Sequence, residues 1–266
     1  MTPRRALVLG PSGRMGRAVI DAARGRGDVR IAAAVDRDDA PTVGTVVADG
    51  VIVGTDLAAG IDAADVYIDF TSPAATRLAA GLARSRCRPA VIGTTGLGPQ
   101  EEAALAQLAE VAPIVVAANF STGVNLLLGL VEQAARALGT EWDAEVVETH
   151  HRAKRDAPSG TALMIGRAIA SGHASDYDQV KRHSRDGDVG ARPRGEIGMA
   201  SVRGGDVIGE HTAHFFGPAE RIEITHRASS RAIFAGGALR AAAWVVGQPP
   251  GRYDMLDVLG LRRVLG

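Results

Sequence analysis

Glycine stands at every third position of Gly10-Pro11-Ser12-Gly13-Arg14-Met15-Gly16, a stretch that follows an apolar run ending at Leu9 and opens an amphipathic segment. Glycines let a chain turn sharply, and a helix that begins inside such a turn points unpaired amides beyond the strand end. Strand, glycine turn and helix in that order start a βαβ unit. The alternation continues: strands are expected over residues 5–9, 31–35, 66–69, 90–92 and 114–117. Helices are expected over 14–24, 73–84 and 99–110, the last two with proline in the first turn. This pattern predicts an α/β fold, a parallel sheet with helices on both faces.

Past Asn119 the texture changes. Residues 124–138 read as an amphipathic helix, 145–149 as a strand running into His150-His151-Arg152-Ala153-Lys154, and 161–170 as a helix opened by Pro158-Ser159-Gly160. The stretch 171–194 carries charges of both signs and reads as a solvated surface loop. Segments 196–203, 207–215 and 221–227 read as strands joined by hairpins at Gly204-Gly205 and Gly217-Pro218, hence an antiparallel or mixed sheet and a second domain. Alanine-rich helices over 230–246 and 254–264 need a sheet to pack on, and the first domain has one. The expected organisation is a dinucleotide-binding domain of residues 1–121 and 231–266, with residues 122–230 inserted as a second domain. Length agrees, since 266 residues exceed the roughly 100–200 of a usual domain.

Composition narrows the partner classes. With 30 Lys+Arg against 30 Asp+Glu, the chain has no broad positive field for nucleic acid or an anionic membrane, and 46% hydrophobic residues supply a core. Cys87 is the one cysteine, so an intrachain disulfide and a cysteine zinc site are both excluded. Arg4-Arg5 precede an apolar run, but that run is far shorter than a secretory signal's and ends at Gly10. No stretch approaches the ~18 uncharged apolar residues that span a bilayer. A cytoplasmic location is expected.

Taken alone, residues 10–16 form either a dinucleotide-binding turn or a tight strand-helix turn without ligand, because G-x-x-G-x-x-G departs from the usual G-x-G-x-x-G. Asp36 favours the first: twenty positions past Gly16, at the end of the second strand, it can accept from adenosine ribose hydroxyls. Arg37 beside it suits the 2′-phosphate of NADPH, which leaves NADH, NADPH or both open. Gly93-Thr94-Thr95-Gly96 and Asn119-Phe120-Ser121-Thr122-Gly123 follow the fourth and fifth strands, where open α/β sheets place ligands. They suit ribose and nicotinamide contacts or are ordinary turns, and Phe120 is equally a core candidate.

The segment from His150 to Thr161 gathers two imidazoles, an ammonium and a Gly-Thr helix start, so it joins proton carriers to anion donors or is a basic surface turn. A metal is not expected there: adjacent histidines point in different directions and no carboxylate follows at ligand spacing. His211 and His214, three apart in a strand, face opposite sides and read as structural.

Together these residues resemble the 4-hydroxy-tetrahydrodipicolinate reductases, formerly dihydrodipicolinate reductases, of bacterial lysine and diaminopimelate synthesis. The resemblance runs over nearly the whole chain: Gly13 to Gly16, Asp69-Phe70-Thr71, Val91 to Gly96, Ala117 to Ser121, the HHRxKxDAPSGTA pattern within Glu148 to Ala162, Gly209-Glu210-His211-Thr212 and Glu223 to Arg231. It implies a Rossmann-type domain with an inserted α+β mixed-sheet domain for substrate binding and oligomerisation. It also implies NAD(P)H-dependent reduction of 4-hydroxy-tetrahydrodipicolinate, a small cyclic dicarboxylate, to tetrahydrodipicolinate plus water, by a homotetramer without a metal.

Carried over by position, the resemblance makes His150 and Lys154 proton donors, with His151, Ser159, Gly160 and Thr161 around the substrate. It makes Gly10, Pro11, Ser12, Gly13, Arg14, Met15, Asp36, Arg37, Phe70, Gly93, Thr94, Thr95, Ala117, Asn119 and Phe120 cofactor contacts. Asp36 stands where many members carry glutamate. Two other readings remain beside this one. Another imine or aldehyde reductase of the same architecture would keep the glycine loop but need not combine paired histidines, Lys154 and a Ser-Gly-Thr helix start. A dinucleotide-sensing regulator would need no proton donors.

Overall fold

The computed structural model describes residues 2–230 and 232–262. They fall into two compact units, one built from the chain up to Thr122 together with Ala232–Gly260, the other from the residues between. In chain order the first unit contains β1 (Arg4–Leu9), α1 (Arg14–Ala23), β2 (Val29–Val35), β3 (Val46–Ala48), β4 (Val51–Gly54), α2 (Leu57–Ala63), β5 (Val66–Asp69), α3 (Pro73–Arg84), β6 (Ala90–Ile92), α4 (Pro99–Ala109) and β7 (Pro113–Val116). The second contains α5 (Thr122–Leu138), β8 (Asp143–His150), α6 (Gly160–Gly172), α7 (Tyr177–Val180), β9 (Lys181–Arg182), β10 (Ile197–Arg203), β11 (Gly209–Gly217) and β12 (Glu220–Ala228). The chain then returns to the first unit with α8 (Ala232–Val245), β13 (Gly251–Tyr253) and α9 (Met255–Val258).

The first sheet has the order β13-β7-β6-β5-β1-β2-β4-β3, parallel throughout except for the antiparallel edge pair β3–β4. Its central strands are buried on both faces. Ala6 and Val8 of β1 join a core with α1, α8 and α9, whereas Leu7 and Leu9 join a core with α2, α3 and α4. Two-sided burial is why these strands read as continuous apolar runs. Each fully buried Val, Leu or Ile contributes about 1.5–3 kcal/mol. The small residues of α8 have a packing reason as well: a Cβ on Gly237 would fall 1.7 Å from the Phe120 carbonyl oxygen.

Four short elements, β3, β4, α2 and β13, were not expected from the sequence. Of the helix expected over 254–264 the described residues show one turn, α9, opened by an Asp254 N-cap and followed by turn residues 259–261, and residues 263–264 lie outside the described chain. Among the described residues no helix is long and apolar enough to cross a membrane.

The second sheet is mixed, in the order β12-β11-β8-β10-β9. Gly217-Pro218 does turn a hairpin between β11 and β12, but Gly204-Gly205 does not join paired strands. β8 lies between β10, parallel to it, and β11, antiparallel to it. Central placement pairs both edges of β8, and the two glycines bond the chain just after it, Gly204 N to His150 O at 3.0 Å and Arg152 N to Gly205 O at 3.2 Å.

The stretch 171–194 is not simply a solvated loop. It contains the end of α6, then α7 and β9, and its arginines are tied back: Arg185 pairs with Glu145 and Glu196, Arg182 with Glu196, and Arg192 with Asp143.

One face of this sheet positions the chemistry. The rows Phe215–Ala144–Ile197 and Ala213–Val146–Met199 pack in a core with residues of α5 and α6. The next row on the same face is His211–Glu148–Ser201, and beyond it His150 pairs with Arg203. The side chains of one sheet face thus change from apolar to ionisable within two residues of β8.

Candidate active site

In the first unit the glycine turn is built as its spacing requires. Gly10 sits at φ +66°, a conformation that L side chains rarely adopt, and a Cβ on Gly16 would fall 2.2 Å from the Gly10 carbonyl oxygen. No side chain caps the start of α1 at Gly13. A 640 Å³ cleft opens beside the turn, lined among others by Gly10, Ser12, Gly13, Asp36, Arg37 and Phe70. Asp36 is already engaged: Ser12 donates to Oδ2 through N at 2.9 Å and through Oγ at 2.6 Å, and Arg37 N donates to Oδ1 at 3.0 Å. The exposed Arg37 guanidinium pairs with Asp39 at 2.8 Å. Glycine cradle, helix start and cleft fit a pyrophosphate, and Asp36 and Arg37 line the same cleft.

The strand-end loops divide differently from the sequence expectation. Asp69, fully buried, accepts from Thr71 N at 2.9 Å, Thr71 Oγ1 at 2.5 Å, Thr76 Oγ1 at 2.6 Å and Thr94 Oγ1 at 3.1 Å. Thr94 therefore ties two loops together with its hydroxyl, while Thr95 is exposed. Gly93 makes room for a ring, since a Cβ there would meet Phe70 at 2.0 Å. Phe120 is 1% exposed and packs edge-on against Phe70 at 5.3 Å, so its side chain is core that backs the cleft rather than lining it. Ala117 continues the ladder, its N bonded to Ile92 O at 3.1 Å, and Asn119 Oδ1 accepts from Ser121 N at 2.8 Å. Pro11 is buried, Arg14 exposed and Met15 half-buried.

In the second unit the residues after β8 converge. His150 is 8% exposed, and its Nδ1 lies 2.5 Å from Oε2 of the fully buried Glu148. Arg203 donates to both Glu148 oxygens at 2.8 Å, and Ser159 N donates to Oε1 at 3.2 Å. Burial would raise the Glu148 carboxyl, but bonds from Arg203, His150 and Ser201 bring it down to about 2. For His150, burial outweighs the attraction of Glu148 and leaves the imidazole below its ordinary value. Ser159 caps α6, accepting from Ala162 N at 3.2 Å, so Gly160 and Thr161 form the first turn of a helix whose dipole favours an anion. Gly160 is exposed and His151 half-buried. Lys154 Nζ lies 2.9 and 3.0 Å from the Asp156 carboxylate oxygens.

Glu148 and Arg203 were not singled out as site residues from the sequence, and His211 was read as structural. His211 faces the opposite side from His214, as its spacing requires, but it is part of this cluster. Its Nε2 lies 3.0 Å from Ser159 Oγ, and its ring stands edge-on to His150 at 5.1 Å and 75°. Burial above all holds it down to about 4, so it is neutral near pH 7. The register β11–β8 puts His211 opposite Glu148, a pairing that no local spacing contains. Among the described residues no group of three or more His, Cys, Asp or Glu gathers as a metal site.

Comparison with known proteins covers both halves of the chain. Residues 4–120 match the family described as dihydrodipicolinate reductase, N-terminus, and residues 123–259 match dihydrodipicolinate reductase, C-terminus. The chain is 47% identical over 261 residues to the 4-hydroxy-tetrahydrodipicolinate reductase of Halorhodospira halophila, across 96% of this chain and 98% of the relative. It is 50% identical over 268 residues to that of Alkalilimnicola ehrlichii, across 98% and 100%. The solved structure of dipicolinate-bound dihydrodipicolinate reductase from Paenisporosarcina sp. TG-14 shares the fold, with a TM-score of 0.79 at 24% identity over 96% of this chain and 98% of that one. With both halves matched and relatives near one-half identical along almost their whole length, the chain belongs to the dihydrodipicolinate reductase family of NAD(P)H-dependent oxidoreductases.

Proposed function

We propose that the protein reduces 4-hydroxy-tetrahydrodipicolinate to tetrahydrodipicolinate with loss of water, as a step of lysine and diaminopimelate synthesis. The observation that carries this reading is the loop after β8: a buried histidine paired to a carboxylate, a lysine, and an open helix start lie within twelve residues. A reductase acting on a small cyclic dicarboxylate needs that combination of proton carrier and anion donors.

Gly10, Ser12, Gly13, Asp36 and Arg37 would hold the dinucleotide, which when bound supplies hydride from C4 of its nicotinamide. Asp36 would accept from the ribose hydroxyls, and Arg37, released from Asp39, would meet a 2′-phosphate. Gly160 and Thr161 amides would hold one substrate carboxylate, with His151 beside them and Ser159 fixing the turn. Lys154 exchanges Asp156 for a substrate carboxylate or the ring nitrogen, and as a cation it stabilises electron density arriving on the ring. His150 takes a proton from water at Nε2 and, as the imidazolium, gives it up from Nε2, because its Nδ1–H is held by Glu148. A homotetramer in the cytoplasm completes the reading; Val202 and Phe216, exposed on the outer face of the second sheet, supply apolar surface for contact between copies.

The test is loss of nicotinamide absorbance with enzymatically generated substrate, set against simple aldehydes and keto acids. Turnover confined to the dicarboxylate supports the reading. Faster turnover of an aldehyde or keto acid overturns it in favour of another reductase.

A further inference from the structure

Glu148 has no exposed surface, and its two oxygens are filled by donors from three different segments. Oε2 takes His150 Nδ1 and Arg203 Nη1; Oε1 takes Arg203 Nη2 and the amide of Ser159. Arg203 in turn donates from Nη2 to the Asp156 carbonyl at 2.7 Å, and Asp156 holds Lys154. Ser159 is gripped twice, by Glu148 at its amide and by His211 at its hydroxyl. His150 is gripped three ways: Glu148 at Nδ1, the His211 ring at its face or edge, and Gly209, where even a Cβ would come within 2.9 Å of Nε2. One buried carboxylate therefore connects the imidazole, the loop carrying the lysine and the first turn of α6.

We propose that Glu148 is the positioning residue of the proton-transfer step, fixing the Nδ1–H form of neutral His150 so that Nε2 is the nitrogen that exchanges the proton, with Arg203 as the group that moderates its charge. This rests on the reading of His150 as the proton carrier given above. A carboxylate at Nδ1 selects the tautomer and stabilises the imidazolium, as buried acids do for catalytic histidines elsewhere. Full negative charge at that spot would make the imidazolium too stable to give up its proton readily. The Arg203 guanidinium, bidentate on the same carboxylate, offsets it. The charged and titratable groups facing His150 are Glu148 on its own strand, Arg203 on β10, His211 on β11, and Lys154 with Asp156 on the loop. Glu148 pulls its affinity for a proton up; burial, Lys154 and Arg203 pull it down.

The experiment is NMR on the full chain carrying ring-labelled histidine, with the His150 signals among the seven histidines identified by their loss in His150→Gln. In the unaltered protein, the ring ¹⁵N shifts above the titration must report a protonated Nδ1 and a bare Nε2. Glu148→Gln should move the His150 titration down by about 1–3 units, and Arg203→Met should move it up. Turnover in Glu148→Gln should fall ~10²-fold, with NADH affinity unchanged. A bare Nδ1 in the unaltered protein overturns the proposal whether or not the variants fold, as do shifts in the same direction or no shifts in the two variants. None of these signals needs substrate. Correct tautomer and opposite shifts in a protein that does not turn over the dicarboxylate would overturn the proposed reaction and leave the positioning intact.

Discussion

Ser12 gives both its amide hydrogen and its hydroxyl hydrogen to a single oxygen of Asp36, at 2.9 and 2.6 Å. The glycine turn and the end of β2 are thereby locked to each other, and Asp36 reaches the cleft with its other oxygen partly free. The adjacent Arg37 is held only by an exposed pair with Asp39, a contact worth at most about 1 kcal/mol. Its guanidinium can therefore leave for a phosphate at little cost.

Arg37→Ala should weaken NADPH more than NADH, because only NADPH carries the 2′-phosphate that a guanidinium clamps. Dissociation constants for both dinucleotides, measured by fluorescence titration, check this. Equal weakening would assign Arg37 a general field or packing effect.

His150→Gln should lower turnover by about two to four orders of magnitude, the usual contribution of a positioned acid or base, while leaving cofactor affinity nearly unchanged. Steady-state rates and direct NADH binding on the same preparation separate the two. Parallel loss of both would move His150 out of the proton-transfer role.

Gly209→Ala is a geometric probe of the same residue. The added methyl would lie 2.9 Å from His150 Nε2 and 3.3 Å from Cδ2, so the ring must shift. Turnover should fall by ~10²-fold, as a displacement near 1 Å at a reacting group does, with the unfolding midpoint changed only modestly. Unchanged turnover would mean that the position of His150 is not critical.

Stability should fall on acidification in two stages. Burial lowers His211 to about 4, against roughly 6.5 in an unfolded chain, so between these values the unfolded state binds a proton that the folded state refuses. Stability is lost as pH drops through that window, and His150, His173 and His226, also lowered chiefly by burial, add in the same direction. Glu148, at about 2 against roughly 4.3 unfolded, continues the loss between those two values. Urea midpoints taken from pH 7 to pH 4 should decline, and His211→Asn should flatten that decline. An identical slope in the variant would show that His211 does not contribute to the decline.

Local pattern carried the first sheet because β1, β2, β5, β6 and β7 are short apolar runs, and β1, β5 and β6 are each followed directly by a helix. It did not carry β13, three residues between Pro250 and the N-cap Asp254, nor β3, β4 and α2, where Val, Gly and Ala alternate without a clear period. Gly204-Gly205 gave a hairpin signal that β8 overrode by pairing with both neighbours. The site divided the same way. The contiguous run from His150 to Thr161 was legible, whereas Glu148, Arg203 and His211 meet only through strand register, across separations of 55 and 52 residues for Glu148–Arg203 and Ser159–His211. Phe120 was ambiguous for a related reason: only the packing of α8 and Phe70 decides that its ring is core.

The proposed reaction moves hydride from nicotinamide C4 of the dinucleotide to the ring of the cyclic dicarboxylate. Its most direct test is mass spectrometry of the product formed from enzymatically generated 4-hydroxy-tetrahydrodipicolinate and NADH deuterated at the transferring position of nicotinamide C4. The proposed reaction gives tetrahydrodipicolinate one mass unit heavier than the product made with ordinary NADH, and no such product from His150→Gln on the same timescale. Unlabelled tetrahydrodipicolinate, or NADH oxidation that proceeds equally without the dicarboxylate, would contradict it.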